Sequence, residues 1–267
     1  MLNISPTFTK RILAAYFWLI AAYLLLPIFI VVPMSLTASD LLQFPPSDWG
    51  LRWYREYMHD AAWLQATWLS MKIALIASCV ATFTGTLAVI ALDRNPIPLK
   101  AALLHFISAP LIIPHIFLAV GVFVLAVRTG LTNNEYVVAG AHAAVTIPFV
   151  VLIVGAALRK VDRDVERAAR ILGAGPIRGF VSATLPSILP AIVAGATLSF
   201  FISFDELIIA EFLLSGKETL PMRIWADVKL ELRPTVAAVS SILIIATAVA
   251  IVAVEVLRQR AGTPSAE

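Results

Sequence analysis

Three carboxylates stand in a stretch of sequence that is otherwise apolar enough to cross a membrane. They are Asp205, Glu206 and Glu211, and the stretch runs from about 186 to 213. A charged side chain at mid-membrane costs about 2.5–3.5 kcal/mol on insertion scales, so such residues face other protein groups or a wet pathway. Phe201 lies one helical turn before Asp205, and an aromatic face beside a carboxylate suits an organic cation.

Helical spacing selects Asp205 as the carboxylate that faces a pathway. Adjacent positions on a helix point about 100° apart, so at most one of Asp205 and Glu206 faces it directly. Phe201 and Ile209 lie four residues before and after Asp205 and are expected to flank it on one face. The alternative is that the carboxylates pair with basic residues of a partner subunit or lie near the outer interface.

His115 is a polar group inside a second apolar stretch, from about 101 to 127. It follows Pro110 and Pro114, and prolines kink a membrane helix and release backbone carbonyls. A histidine at this position forms a hydrogen bond between helices more often than it contacts a solute. Two other histidines rank below it as candidates, and a third is expected at the surface: His105, His142 and His59, respectively.

No enzyme motif accompanies these side chains. The sequence lacks a GxxxxGK[ST] phosphate loop, since Ser215-Gly216-Lys217 has no first glycine at the required spacing. It also lacks HExxH and GxSxG, and its one cysteine, Cys79, excludes an intrachain disulfide and a cysteine metal cluster. We therefore expect a protein that is not an enzyme by itself and that binds no metal or cofactor.

Six apolar stretches are each long enough for a membrane helix, which needs roughly 20 residues to cross a core of about 30 Å. The chain is 60% hydrophobic and 14% charged, whereas a soluble domain has about 25% charged residues. The stretches lie at about 12–36, 67–92, 101–127, 137–158, 186–213 and 235–257. The sequence therefore predicts an all-α polytopic membrane protein with six transmembrane helices.

The stretches divide the chain into three parts. Residues 1–66 form an N-terminal anchor helix and an outer interfacial segment, 67–257 the transmembrane domain, and 258–267 a tail. Aromatic rings favour the headgroup level of a membrane, which suggests an interfacial helix or, alternatively, a contact for a delivering protein. The rings are those of Trp49, Trp53, Tyr54, Tyr57 and Trp63.

A polar, basic loop over 159–184 separates the fourth and fifth stretches. Its apolar residues recur at helical spacing and form one stripe on a short helix: Val165, Ala168, Ala169 and Leu172. Gly173 and Gly175-Pro176 end that helix, and Pro176 opens a second one that runs to a break at Leu185-Pro186. Two short helices about a glycine corner form a docking surface for a cytoplasmic protein.

Basic residues set the orientation of the spans. Lys and Arg are more frequent in the segments on the side of the N-terminus, which include the 159–184 loop. An even number of spans then places both termini in the cytoplasm. The net charge of +3 thus reports topology, and no nucleic-acid partner is expected.

The loop resembles the coupling loop of binding-protein-dependent ABC importer permeases. In that family an EAA element is followed by a glycine and, after a fixed gap, by a Leu-Pro that begins the next span. The matching residues are Ala168, Ala169, Arg170, Leu172, Gly173, Ala174, Phe180, Leu185, Pro186 and Pro190. Where the family usually has glutamate directly before the two alanines, this chain has Arg167. Glu166 stands one place earlier and either substitutes for that glutamate or faces water.

A second resemblance concerns the carboxylates. The stretch Ser203-Phe204-Asp205-Glu206 is similar to the spermidine/putrescine branch of the family, as are Thr219-Leu220-Pro221 and Ile224-Trp225. It implies a solute pathway for a polyamine or a related amine, formed by Asp205, Glu206, Phe201 and His115.

The resemblance covers about 67–257 and implies a multi-pass subunit of a bacterial inner membrane. Its partners would be an ABC ATPase dimer that binds ATP and magnesium, a second permease subunit, an extracytoplasmic solute-binding protein and membrane lipid. The implied coupling residues are Glu166, Ala168, Ala169, Gly173, Leu185 and Pro186. Two rival classes remain: a proton-coupled secondary transporter that uses Asp205, Glu206 and His115, and a membrane scaffold.

Overall fold

The structure, a computed structural model, describes residues 6–262 and is helical, with one isolated β-bridge between Thr37 and Trp49. The helices are α1 Pro6–Ser35, α2 Arg52–His59, α3 Ala61–Arg94, α4 Lys100–Ser108, α5 His115–Thr129, α6 Glu135–Leu158, α7 Arg163–Ile171, α8 Pro176–Gly179, α9 Leu185–Phe204, α10 Ile208–Leu213, α11 Leu220–Leu230 and α12 Pro234–Gly262. Five described segments are long and apolar enough to cross a membrane, and there are six if the bent pair α4 and α5 forms one span. The predicted all-α polytopic class is confirmed.

The third predicted stretch is broken, not simply kinked. A 3-10 turn at Ala109–Leu111 follows α4, and α5 begins at His115 after a bend of 98°. Pro114 disfavours helical geometry at the residue before it and lacks an N–H of its own. The interruption places His115 at the first position of a new helix and not in the middle of one.

The fifth predicted stretch differs from its prediction at both ends. There is no break at Leu185-Pro186, because a π-helical turn at Phe180–Thr184 joins α8 to α9. In this turn the Leu185 N–H donates to the Phe180 carbonyl, and the wider ring admits a proline without ending the helix. At the other end, α9 stops at Phe204, so the predicted continuation to 213 is wrong.

The chain forms two compact units. One comprises the described residues up to Leu64 together with Ile224–Ile251, and the other comprises Gln65–Arg223 together with the described residues from Val252. The boundaries predicted at 66/67 and 257/258 remain predictions, since the described tail is the end of α12 and the last residues lie outside the described range.

In the first unit, the aromatic segment packs inward. Trp53, Tyr57 and Trp63 are buried, and the last two rings make an edge contact with centroids 6.1 Å apart. The Trp53 Nε1–H donates to the Ser39 carbonyl at 2.9 Å, and the hydroxyls of Tyr54 and Ser35 are 2.6 Å apart. Protein groups therefore cover three of the five rings, and the prediction that this segment lies at the headgroup level stays a prediction.

In the second unit, α6 is the central helix and lies against α3 and α9. A Cβ built at Gly85 of α3 would meet the Val150 side chain at 3.0 Å, and one at Gly195 of α9 would meet the Val150 backbone at 3.5 Å. Small residues let membrane helices approach closely, which is how interfaces form where the surrounding lipid is as apolar as the side chains. This packing fixes α9, and with it the carboxylates that follow.

Candidate functional site

Glu206 lies in the break between α9 and α10, and its side chain serves the start of α10. The carboxylate accepts hydrogen bonds from the backbone N–H groups of Ile208, Ile209 and Ala210 at 3.1, 2.9 and 3.4 Å. The first N–H groups of any helix have no partner within it, so an acceptor that precedes the helix stabilises its start. Glu206 thus explains why the apolar sequence divides into two helices here.

Two histidines complete the surroundings of Glu206, which is only 6% exposed. His142 of α6 places Nε2 at 3.2 Å from Oε2, within ion-pair distance, and its Nδ1 is 2.9 Å from the Ser203 hydroxyl. His115, at the start of α5, places Nδ1 at 3.5 Å from Oε1. The buried Glu206 carboxylate therefore connects three places: the break between α9 and α10, the start of α5 after its bend from α4, and the central helix α6.

Asp205 has the opposite environment. It is exposed, and it forms no hydrogen bond or ion pair through its carboxylate with the residues that the structure describes. Its backbone N–H donates to the Phe201 carbonyl at 3.1 Å, so Phe201 is one helical turn away as predicted. Ile209 does not flank it: this residue is fully buried in α10, because the helix ends between the two.

The sequence argument ranked His142 below His115, although His142 lies closer to Glu206. Its place within the apolar stretch 137–158 is the signal that singled out His115, and it applies equally here. The sequence left open whether the carboxylates pair with basic residues of a partner subunit. Glu206 instead has histidines and backbone groups of its own chain as partners.

The loop between α6 and α9 carries an exposed apolar surface. Asp162 caps α7 by accepting the Asp164 N–H at 2.9 Å, and Gly173 turns the chain with φ +89°. The predicted first helix and glycine corner are present as α7 and Gly173, whereas the second helix is not separate, because α8 continues through the π-helical turn into α9. Ile171 and Leu172 are 86% and 88% exposed, and Val165 and Ile177 are exposed as well. Apolar side chains this exposed outside a lipid-facing helix are characteristic of a protein interface.

Glu166 points away from that surface. Arg94 of α3 forms a two-pronged ion pair with it, the Thr184 hydroxyl donates to Oε2 at 2.9 Å, and Arg170 donates to Oε1 at 3.0 Å. Burial raises the pKa of Glu166, but the hydrogen bonds from Arg94 and Thr184 outweigh it, so that the pKa lies below the usual glutamate range. The alternative that Glu166 faces water is wrong, since its side chain is 12% exposed.

Residues 85–262 match the family described as the binding-protein-dependent transport system inner membrane component. The chain belongs to this family. The putrescine transport system permease protein PotI of Escherichia coli K12 is 31% identical over 230 residues, which cover 83% of this chain and 82% of that protein. The spermidine/putrescine transport system permease protein PotC of Haemophilus influenzae is 32% identical over 234 residues, covering 86% and 90%.

Solved structures show the same fold. A chain of a bacterial ABC transporter involved in the import of the acidic polysaccharide alginate superposes with a TM-score of 0.68 at 16% identity, covering 98% of this chain and 99% of that one. A chain of the MetNI methionine ABC transporter gives 0.60 at 16% identity, covering 75% and 96%.

The family confirms the predicted class: the protein is a multi-pass transmembrane permease subunit of an ABC importer of the inner membrane. Permeases of this kind work with ATPase and binding-protein subunits. The finding favours an ATP-driven importer over a proton-coupled secondary transporter, and it also excludes a mere scaffold.

Proposed function

We propose that this permease imports a small organic amine of the polyamine class, with Asp205 as the carboxylate that the solute meets. The supporting observation is the exposed carboxylate of Asp205, which has no hydrogen bond or ion pair with the described residues and lies one helical turn after Phe201, at the helix break that Glu206 stabilises. An ammonium group leaving water is stabilised by a carboxylate and an aromatic face together. The names of the relatives PotI and PotC, which refer to putrescine and spermidine, support the same solute class.

The test is uptake by the purified complex of this permease with its partner subunits in proteoliposomes, with its binding protein outside. We expect ATP-dependent uptake of putrescine or spermidine and none of a neutral or anionic solute of similar size. Collapse of the proton gradient should leave the rate unchanged. Uptake driven by that gradient without ATP would contradict the importer, and uptake of an anion alone would contradict the solute class.

The 159–184 loop couples the permease to its ATPase. Its exposed apolar surface docks into an ATPase subunit, which binds ATP and magnesium, so this chain needs no nucleotide site of its own. Ala168, Ala169 and Gly173 let the loop approach its partner closely. The continuous path through the π-helical turn and Leu185-Pro186 carries the motion into α9, towards His115, Phe201 and the carboxylates.

The orientation requires that the 159–184 loop and both termini are cytoplasmic. Single cysteines at Ser47, Arg178 and Ser265 in a Cys79→Ser background test this with an impermeant thiol reagent; Ser265 lies outside the described residues. In intact spheroplasts we expect labelling at position 47 only, and labelling at all three after lysis. Labelling of 178 or 265 but not of 47 in intact spheroplasts would reverse the topology.

A further inference from the structure

Ion pairs and a hydrogen bond join α7 to the end of α3 and to Thr184, the last residue of the π-helical turn before α9. We propose that Glu166 is a positioning residue whose clamp with Arg94 and Thr184 makes the loop, α3 and α9 move as one body. This inference rests on the proposed function of the loop in coupling ATP hydrolysis to transport. It assigns to Glu166 a role inside the permease and not in direct contact with the ATPase.

The clamp uses both oxygens of one carboxylate. Arg94 Nη1 donates to Oε1 at 3.1 Å and Nη2 pairs with Oε2, a fork geometry that fixes direction as well as distance. The Thr184 hydroxyl, which is buried in the π-helical turn, adds a third element to the same carboxylate at 2.9 Å. Glu166 of α7 is thus joined to Arg94, 72 residues earlier at the end of α3, and to Thr184, 18 residues later and directly before α9.

Neighbouring contacts strengthen the same junction. Arg163, at the start of α7, donates to the Asp93 carboxylate at 2.6 Å and to its backbone carbonyl at 3.2 Å. The Arg94 guanidinium also lies 4.7 Å from the centre of the Phe180 ring. Asp93 and Arg94 therefore hold two successive turns of α7, so the helix cannot rotate about a single contact.

A second ion pair on α7 provides a matched control. Arg167 and Asp164 are 2.8 Å apart, but both side chains are 74% exposed and belong to the same helix. Exposed pairs of this kind contribute little, and this one connects no other element. Glu166 already accepts four hydrogen bonds from three side chains of its own chain, so an ATPase residue could engage it only by displacing one of them.

The experiment compares Glu166→Gln, Arg94→Gln and the double variant with Asp164→Asn in the assembled transporter. The readout is ATP hydrolysed per solute imported, which a simple loss of folded protein would not change. We expect the single clamp variants to raise this ratio about fivefold and the double variant to raise it no further, whereas Asp164→Asn keeps the wild-type ratio. Arg94→Lys keeps the charge but loses the two-pronged geometry. Its ratio of ATP hydrolysed to solute imported should lie between those of the wild type and Arg94→Gln.

Hydrogen exchange of residues 163–179 in the same complexes gives a readout that needs no solute. Glu166→Gln should speed exchange in α7 and Asp164→Asn should not. A wild-type ratio and wild-type exchange in Glu166→Gln, or effects of the single variants that simply add, would overturn the clamp. Absence of ATP-driven amine uptake by the wild-type complex would instead contradict the proposed function, and the exchange result would still decide the clamp.

Discussion

Gly173→Leu is expected to abolish ATP-driven uptake and to release the ATPase from the complex, while the permease stays in the membrane. Gly173 has φ +89°, where an L side chain costs about 1–2 kcal/mol. Nothing in the described chain lies within 4 Å of the position that a Cβ at this residue would take, so the first carbon of a leucine meets no atom of the permease itself. The added bulk lies at the corner that we propose docks onto the ATPase.

Two variants separate backbone strain from bulk. Asparagine tolerates a left-handed backbone, so Gly173→Asn should keep part of the activity and of the bound ATPase. Gly175→Ala places a small side chain in equally open space at φ −64° and should behave as wild type. Co-purification of the ATPase and uptake by proteoliposomes measure both effects. Wild-type uptake by Gly173→Leu with the ATPase bound would refute the docking role of this corner.

The loop was predictable because its signals are local. The apolar stripe at helical spacing and the glycines that end it lie within about a dozen residues, and the structure has α7, Gly173 and α8 in that order. The break at Leu185-Pro186 was predicted wrongly by the same local logic. A proline ends a regular α-helix, but the π-helical turn before it changes the hydrogen-bond register.

The carboxylate site was only partly predictable because its decisive contacts are tertiary. Apolar content continues through residue 213, so hydropathy alone extends the helix past Asp205. The helix ends there because Glu206 turns inward to the N–H groups of α10 and to His142, which is 61 residues from Ser203 in the chain. The residue periodicity of α9 does not reveal these tertiary contacts. Without them, the sequence alone does not show which of the two adjacent carboxylates is buried.

Neutralising Glu206 is therefore expected to lower the stability of the fold, whereas neutralising Asp205 is expected to lower uptake of the amine alone. Glu206→Gln replaces one acceptor oxygen with a donor that faces N–H groups or a histidine. Hydrogen bonds to charged groups contribute about 1.5–3 kcal/mol, and a buried group left without its partner adds to the loss. We expect Glu206→Gln to lower the melting temperature of the complex and to reduce uptake of every solute.

Asp205→Asn should leave the melting temperature unchanged, because the exposed carboxylate has no hydrogen bond or ion pair within the described chain. In the proposed function, its charge attracts the passing cation. The attraction between unit charges 4 Å apart ranges from about 1 kcal/mol in water to about 4 kcal/mol near a protein surface. At the wet end of that range, uptake of putrescine or spermidine should fall about fivefold. Glu211→Gln, which neutralises another exposed carboxylate nearby, serves as the matched control and should transport normally.

Melting curves and initial uptake rates of the three variants separate the two roles. Equal loss of stability in Asp205→Asn and Glu206→Gln would show that both carboxylates support the fold and that neither is reserved for the solute. Polyamine uptake at the wild-type rate in Asp205→Asn would remove this residue from the pathway. Phe201 lies one helical turn from Asp205. The double variant Phe201→Leu with Asp205→Asn therefore tests whether the ring and the charge act on the same ammonium group. A shared target predicts that the double variant loses less than the product of the two single effects.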